Sequence, residues 1–140
     1  MSEKEISRIE VGCAIIERKG EILIAQRKLE GHLGGYWEFP GGKKEGAESI
    51  EECLVREVDE ELGVVIQPYK FLTNVVHSYP SREVSLHFYF CTWVSGTPVK
   101  KDCLDFRWVK PEGLGSFLFP PADRDIIQDL LQKKKYYFGV

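Results

Sequence analysis

Apolar residues recur at two spacings along this chain. Residues 11–17 (V-G-C-A-I-I-E) and 21–27 (E-I-L-I-A-Q-R) are short, mostly apolar runs and read as strands. Arg18, Lys19 and Gly20 between them form a tight turn, which predicts a hairpin. Residues 28–36, with Gly31, Gly34 and Gly35, read as a loop, and Pro40-Gly41-Gly42 as a turn where backbone can approach a ligand closely. The spacing then changes. Leu54, Val58 and Leu62 recur every fourth residue, the apolar stripe of a helix. Ser49 followed by Glu52 is a capping box that starts it, and Gly63 is the glycine that ends it. Residues 70–77 and 84–94 read as strands around a turn at Tyr79-Pro80-Ser81, and residues 106–109 as a short further strand. Pro120-Pro121-Ala122-Asp123 leads into a last helix with Ile126, Ile127, Leu130 and Leu131 on one face. Lys133, Lys134 and Lys135 follow near its end, where cations suit the helix dipole. Two helices among several strands predict a mixed α+β or α/β domain spanning residues 1–140.

Composition narrows the class. A 140-residue chain that is 43% hydrophobic, with three Trp, six Tyr and eight Phe, supports a substantial core. A net charge of −3 argues against a general polyanion binder, so a nucleotide ligand would need a metal to supply positive charge. The start, Met1 to Glu5, is charged, and no run approaches the ~20 apolar residues of a membrane span. A soluble cytoplasmic protein is expected, without a membrane or an obligate protein partner, as monomer or dimer. Cys13, Cys53, Cys91 and Cys103 form no C-x-x-C pair and read as thiols of a reducing compartment. His32, His77 and His87 are scattered and read as packing or surface residues.

One feature of the first helix changes this picture. Glu57, Glu60 and Glu61 fall at i, i+3 and i+4, so three carboxylates share a helical face. Bare, they repel one another by a few tenths of a kcal/mol per pair, roughly. Hard divalent cations such as Mg²⁺ want oxygen ligands in this arrangement. The alternative is a solvated acidic face.

The spacing around these acids separates the two readings. Gly42, five residues, Glu48, seven residues, then Arg56-Glu57-Val58-Asp59-Glu60-Glu61-Leu62-Gly63-Val64 resembles the Nudix box, G-x5-E-x7-R-E-U-x-E-E-x-G-U with U aliphatic, at each defined position. The flanking W-E-F-P-G-G-K run from Trp37 looks like the MutT-like subgroup. The resemblance implies the Nudix fold, an α/β/α sandwich around a mixed β-sheet. It also implies hydrolysis of a nucleoside triphosphate to the monophosphate and pyrophosphate, with Mg²⁺, or Mn²⁺ in its place. Glu57, Glu60 and Glu61 match the family's metal-binding glutamates, and the Gly41 carbonyl matches a further metal contact. Asp102, in the loop after Gly96-Thr97-Pro98, stands where the subgroup places another acidic ligand or base, with Asp105 as a nearby competitor. Arg56 is expected to orient an acid, with Glu48 as candidate partner. Glu57 and Asp102 are the candidate general bases.

The resemblance extends to substrate contacts at Arg27, Glu38, Tyr79, Arg82 and Asp123. Ionised, Asp123 only accepts hydrogen bonds; its alternative is an N-cap of the last helix. The subgroup usually has Gly directly before the acid at position 48. Here Gly46-Ala47-Glu48 predicts a shifted turn, because Ala resists φ > 0. Two functions remain. One is a metal-dependent pyrophosphohydrolase of nucleoside triphosphates, sanitising oxidised nucleotides such as 8-oxo-dGTP, or directed to CTP, dCTP or RNA 5′-triphosphates. The other is a non-catalytic recognition module, which typically lacks an intact box.

Overall fold

The computed structural model describes residues 7–139; the charged start at Met1 to Glu5 lies outside them. The strands are β1 (Ser7–Arg18), β2 (Glu21–Gln26), β3 (Trp37–Glu38), β4 (Gly41–Lys43), β5 (Val65–Tyr79), β6 (Arg82–Ser95) and β7 (Asp105–Val109). The helices are α1 (Ile50–Leu62), α2 (Arg124–Gln132) and α3 (Lys134–Phe138), with 3-10 turns at Pro111–Ser116 and Pro121–Asp123. One mixed sheet carries the order β3-β2-β1-β6-β5, with β4 paired to β1 and β7 to β2. β1 and β6 run parallel from Ser7↔Arg82 to Glu17↔Thr92. β5 and β6 form an antiparallel hairpin that turns at Pro80 and Ser81.

The uninterrupted apolar run in β1 has a simple cause: both faces of the sheet are covered. Side chains alternate between faces. Ala14 and Ile16 pack under α1 with Leu54, Val58, Leu62 and Ile66. Cys13 and Ile15 pack on the opposite face with Phe88, Phe90, Leu114, Ile126 and Leu130. Helix, sheet and helix make three layers.

Helix α1 forms where its local signals place it. Ser49 Oγ accepts from the Glu52 N–H at 3.1 Å, and the Glu52 carboxylate accepts from the Ser49 N–H at 2.8 Å. Gly63 ends the helix in the left-handed region, donating its N–H to the Asp59 carbonyl. The shifted box turn is also observed: the positive φ falls on Gly46, at 53°, and not on Ala47.

Other elements differ from their sequence-based bounds. β5 starts at Val65, five residues before the predicted strand, and carries irregularities around Val65/Ile66, Pro68/Lys70 and Phe71/Thr73. It lies at the sheet edge, where Pro68 and its missing N–H are tolerated. The two predicted helices are joined by a third, α3, because Lys133 leaves helical geometry at φ −111° and ψ 22°. Lys133–Lys135 therefore sit at a helix junction, with Lys133 paired to Asp129 and Lys134 to Glu112. Cys13, Cys53, Cys91 and Cys103 are free thiols. Among the described residues no helix is long and apolar enough to cross a membrane.

Leu54 is fully buried between α1 and β1. Leu54→Ala is expected to cost about 2–5 kcal/mol of stability, read by urea denaturation. A loss under about 1 kcal/mol would show that the α1–sheet contact does not hold the helix.

Candidate active site

Turning Leu54, Val58 and Leu62 into the sheet sends the acids of α1 along the adjoining face, but not into one environment. Glu61 is buried at 8% exposure. The side chain of Glu57 is 17% exposed, and that of Glu60 is 56% exposed. β4, paired to β1 through Val11↔Lys43 and Cys13↔Gly41, brings Gly42 against Glu57. A Cβ at Gly42 would stand 2.5 Å from the Glu57 carboxylate and would push that acid from its present position.

Arg56 organises this corner. Its guanidinium grips Glu48 with two bonds, Nε to Oε2 at 3.0 Å and Nη2 to Oε1 at 2.7 Å. Nη1 reaches Glu57 at 2.9 Å and Glu60 at 3.2 Å, and Nη2 also donates to the Lys43 carbonyl at 3.1 Å. Glu48 is the predicted partner, held in the bidentate geometry that suits Arg. The Arg56 hydrogen bonds, aided by the Glu45 N–H, pull the Glu48 pKa down to about 2.

A pocket of about 540 Å³ opens beside these residues. Of the predicted site residues, Arg27, Glu38, Gly41, Glu61, Tyr79, Arg82, Asp102 and Asp123 line it. Glu57 lies behind Gly42, and Glu60 faces outward toward Arg56. Burial raises the pKa of Glu57, opposed by Arg56. Burial raises that of Glu61 well above the usual range, reinforced by the charges of Glu38 and Glu57. Glu38 is raised by burial despite its 2.9 Å bond from Arg27. Asp123 is pushed up to about 7 by burial and then by Glu38.

Glu57 and Glu38 each have an arginine partner, but Glu61 has none among the described residues. Glu61 Oε2 is buried without a hydrogen-bond partner, which is costly for an ionised group. Hard oxygen donors and an orphaned carboxylate oxygen fit a divalent cation. Among the described residues, no three acidic, His or Cys side chains already converge as a complete metal cluster.

Several alternatives left open by the sequence now separate. Asp102 faces the pocket mouth, where Lys28 Nζ meets it at 2.5 Å. Asp105 is tied instead to Arg107 at 2.7 Å and to the Phe106 N–H. Asp123 makes no side-chain cap bond to α2; it ends a 3-10 turn and is buried against the pocket. Asp123 thus stands at the N-cap position of α2 without making the side-chain bond of a cap. His32 and His77, read from the sequence as packing or surface residues, both line the pocket. Tyr79 takes the edges of His77 at 4.8 Å and His32 at 5.3 Å, with Arg82 over its ring at 5.5 Å. The period of two that sets His77 and Tyr79 on one face of β5 was the available signal. Nothing local marks His32, which lies 47 positions from Tyr79.

A family profile described as the NUDIX domain matches residues 11–129. The 8-oxo-dGTP diphosphatase of Proteus vulgaris is 39% identical over 102 residues, covering 72% of this chain and 90% of the relative. The CTP pyrophosphohydrolase of Escherichia coli (strain K12) is 36% identical over 120 residues, covering 86% and 89%. The solution structure of the E. coli ORF135 protein superposes with a TM-score of 0.82 at 32% identity, covering 96% of each chain. The crystal structure of MutT protein from Methanosarcina mazei Go1 gives a TM-score of 0.81 at 27% identity, covering 94% of this chain and 98% of the other. The mixed sheet between helices is the architecture of these structures.

The Glu48–Arg56 pair has a pH signature. A carboxylate whose pKa falls to about 2 on folding adds stability above the ordinary carboxylate pKa. That stability is lost as pH falls toward 2. Glu48→Gln should therefore be less stable than the parent at pH 7, and the gap should narrow steadily below about pH 4.5. Urea denaturation at a series of pH values reads it; a gap independent of pH contradicts the assignment.

Proposed function

The chain belongs to the NUDIX domain family, and from that premise we infer that its pocket takes a nucleoside triphosphate with Mg²⁺ and releases the nucleoside monophosphate and pyrophosphate. The enzyme is a hydrolase of nucleotide phosphoanhydride bonds. The observation that carries the assignment to this pocket is the buried Glu61 carboxylate with an unpartnered oxygen, beside Glu57. Glu57, Glu60, Glu61, Asp102 and the Gly41 carbonyl are the proposed holders of the metal. When bound, the metal neutralises phosphate oxygens and lowers the pKa of water. Mn²⁺ has the same oxygen preference and is expected to substitute.

The protein's own groups do the rest. Arg56 holds Glu57 and the box turn in one geometry, so the acid is preorganised. Each candidate base has a cationic partner, Glu57 in Arg56 and Asp102 in Lys28; Glu57 is favoured because burial raises its proton affinity. Arg27, fixed by Glu38, and the cluster of Tyr79 and Arg82 are proposed to flank the base. Asp123 is proposed to read its edge. Sanitation of oxidised nucleotides such as 8-oxo-dGTP, in the service of DNA repair in the cytoplasm, is the proposed role. A relative named for 8-oxo-dGTP supports that reading. Preference for cytidine nucleotides is the second reading, favoured by an acid at position 123, whose ionised form accepts from the cytosine amino group.

Three outcomes test this. Glu61→Gln should cut turnover by roughly 10²-fold or more, and a chelator should abolish it; undiminished hydrolysis in excess chelator overturns the proposal. Pyrophosphate should appear as the first inorganic product, and early orthophosphate contradicts the choice of bond. Near pH 7, Asp123 passes from donor to acceptor. The ratio of kcat/KM for dGTP over dCTP should fall as pH rises through about 7. That pH dependence should vanish in Asp123→Asn. A ratio that changes equally with pH in both proteins removes Asp123 from base reading.

A further inference from the structure

The acids around the pocket differ in what holds them. Arg56 takes Glu48, Glu57 and Glu60, and Arg27 takes Glu38. Glu61 Oε2 has no partner. Asp102 alone among them is held by a lysine, with Lys28 Nζ 2.5 Å from Oδ1. Its position is set by backbone. The Asp102 N–H donates to the Glu61 carbonyl at 3.0 Å, and the Lys101 N–H to the same oxygen at 3.1 Å. The loop therefore hangs on the end of α1, next to the orphaned carboxylate. Lys28 arrives from the end of β2, one residue beyond Arg27. The Leu104 N–H already ties that strand end to the loop through the Gln26 carbonyl at 2.9 Å. The ion pair is thus not needed to hold the two segments together. Both partners line the pocket.

We propose that Lys28 is a resident cation at the pocket, occupying the Asp102 carboxylate until an entering divalent ion displaces it, and so lowers the metal affinity of the protein modestly. The proposal rests on reading the pocket as a divalent-cation site. A flexible ammonium on a single carboxylate is a weak competitor for an ion that several oxygens hold at once. Lys28 and Asp102 are 55% and 62% exposed, so the competition is screened and modest. It makes Lys28 a positioning residue: it acts through Asp102.

Titrating Mn²⁺ calorimetrically into the metal-free full chain, without nucleotide, tests this. Lys28→Met should bind Mn²⁺ about two- to five-fold more tightly than the parent, the factor expected for loss of an exposed pair. Removing any nearby positive charge also favours a cation, so the comparison is repeated in Asp102→Asn. There Lys28→Met should change the affinity little. Equal Mn²⁺ affinity in parent and Lys28→Met, with hydrolysis intact, overturns the proposal and leaves the enzymatic reading standing. The same tightening in the Asp102→Asn background overturns it too, since the effect would then be general electrostatics. A parent that binds no Mn²⁺ overturns the metal-dependent reading and this proposal together.

Discussion

Buried negative charge without a matching cation is the constraint around which this site is arranged. Helix α1 lies on the sheet through Leu54, Val58 and Leu62, and that packing leaves Glu61 at the pocket wall with an oxygen bonded to nothing. Burying an ionised carboxylate unpaired costs on the order of several kcal/mol. Burial and the neighbouring charges of Glu38 and Glu57 raise the proton affinity of Glu61, and Arg56 offsets part of the charge of Glu57, but neither supplies a partner for the orphaned oxygen. The capping box, the left-handed Gly63 and the absent side chain at Gly42 all keep the helix and its acids where that deficit persists.

Features carried by short stretches of chain were legible in the sequence. The capping box, the Gly63 terminus, the shift of positive φ to Gly46 and the Glu48–Arg56 grip each depend on residues no more than eight positions apart. The box spacing then linked these local features to a family, and the sandwich followed. What could not be read depends on distant pairing. β1 begins at Ser7 and β5 at Val65 because β6 offers ladder partners beyond their apolar stretches. Tyr79 gathers His32 from a loop 47 residues away. Lys28 meets Asp102 only because β2 and the loop after Gly96 end side by side. Asp123 had equal local claims to cap α2 or to face a ligand; it sits at the N-cap position without a cap bond and lines the pocket.

The division of cations among the acids suits hydrolysis of a polyphosphate. Arg56 binds through a planar fork and stays with the box turn. Lys28 makes one exposed contact, a pair of small net worth. A forked cation thus holds the acids of the helix, and a single exposed ammonium pairs with Asp102. Asp123, Glu38 and Arg27 line the same pocket, where burial and the charge of Glu38 raise the proton affinity of Asp123.

Thermal unfolding of the parent and Glu61→Gln, with and without Mn²⁺, tests the central claim most directly. A ligand that binds only the folded state raises the midpoint. Mn²⁺ should raise the midpoint of the parent and shift Glu61→Gln much less. Without metal, Glu61→Gln should be at least as stable as the parent, since it removes a buried unpaired charge. A Glu61→Gln protein that is strongly destabilised without metal, or that Mn²⁺ stabilises as much as the parent, would contradict the view of Glu61 as the buried carboxylate awaiting a cation.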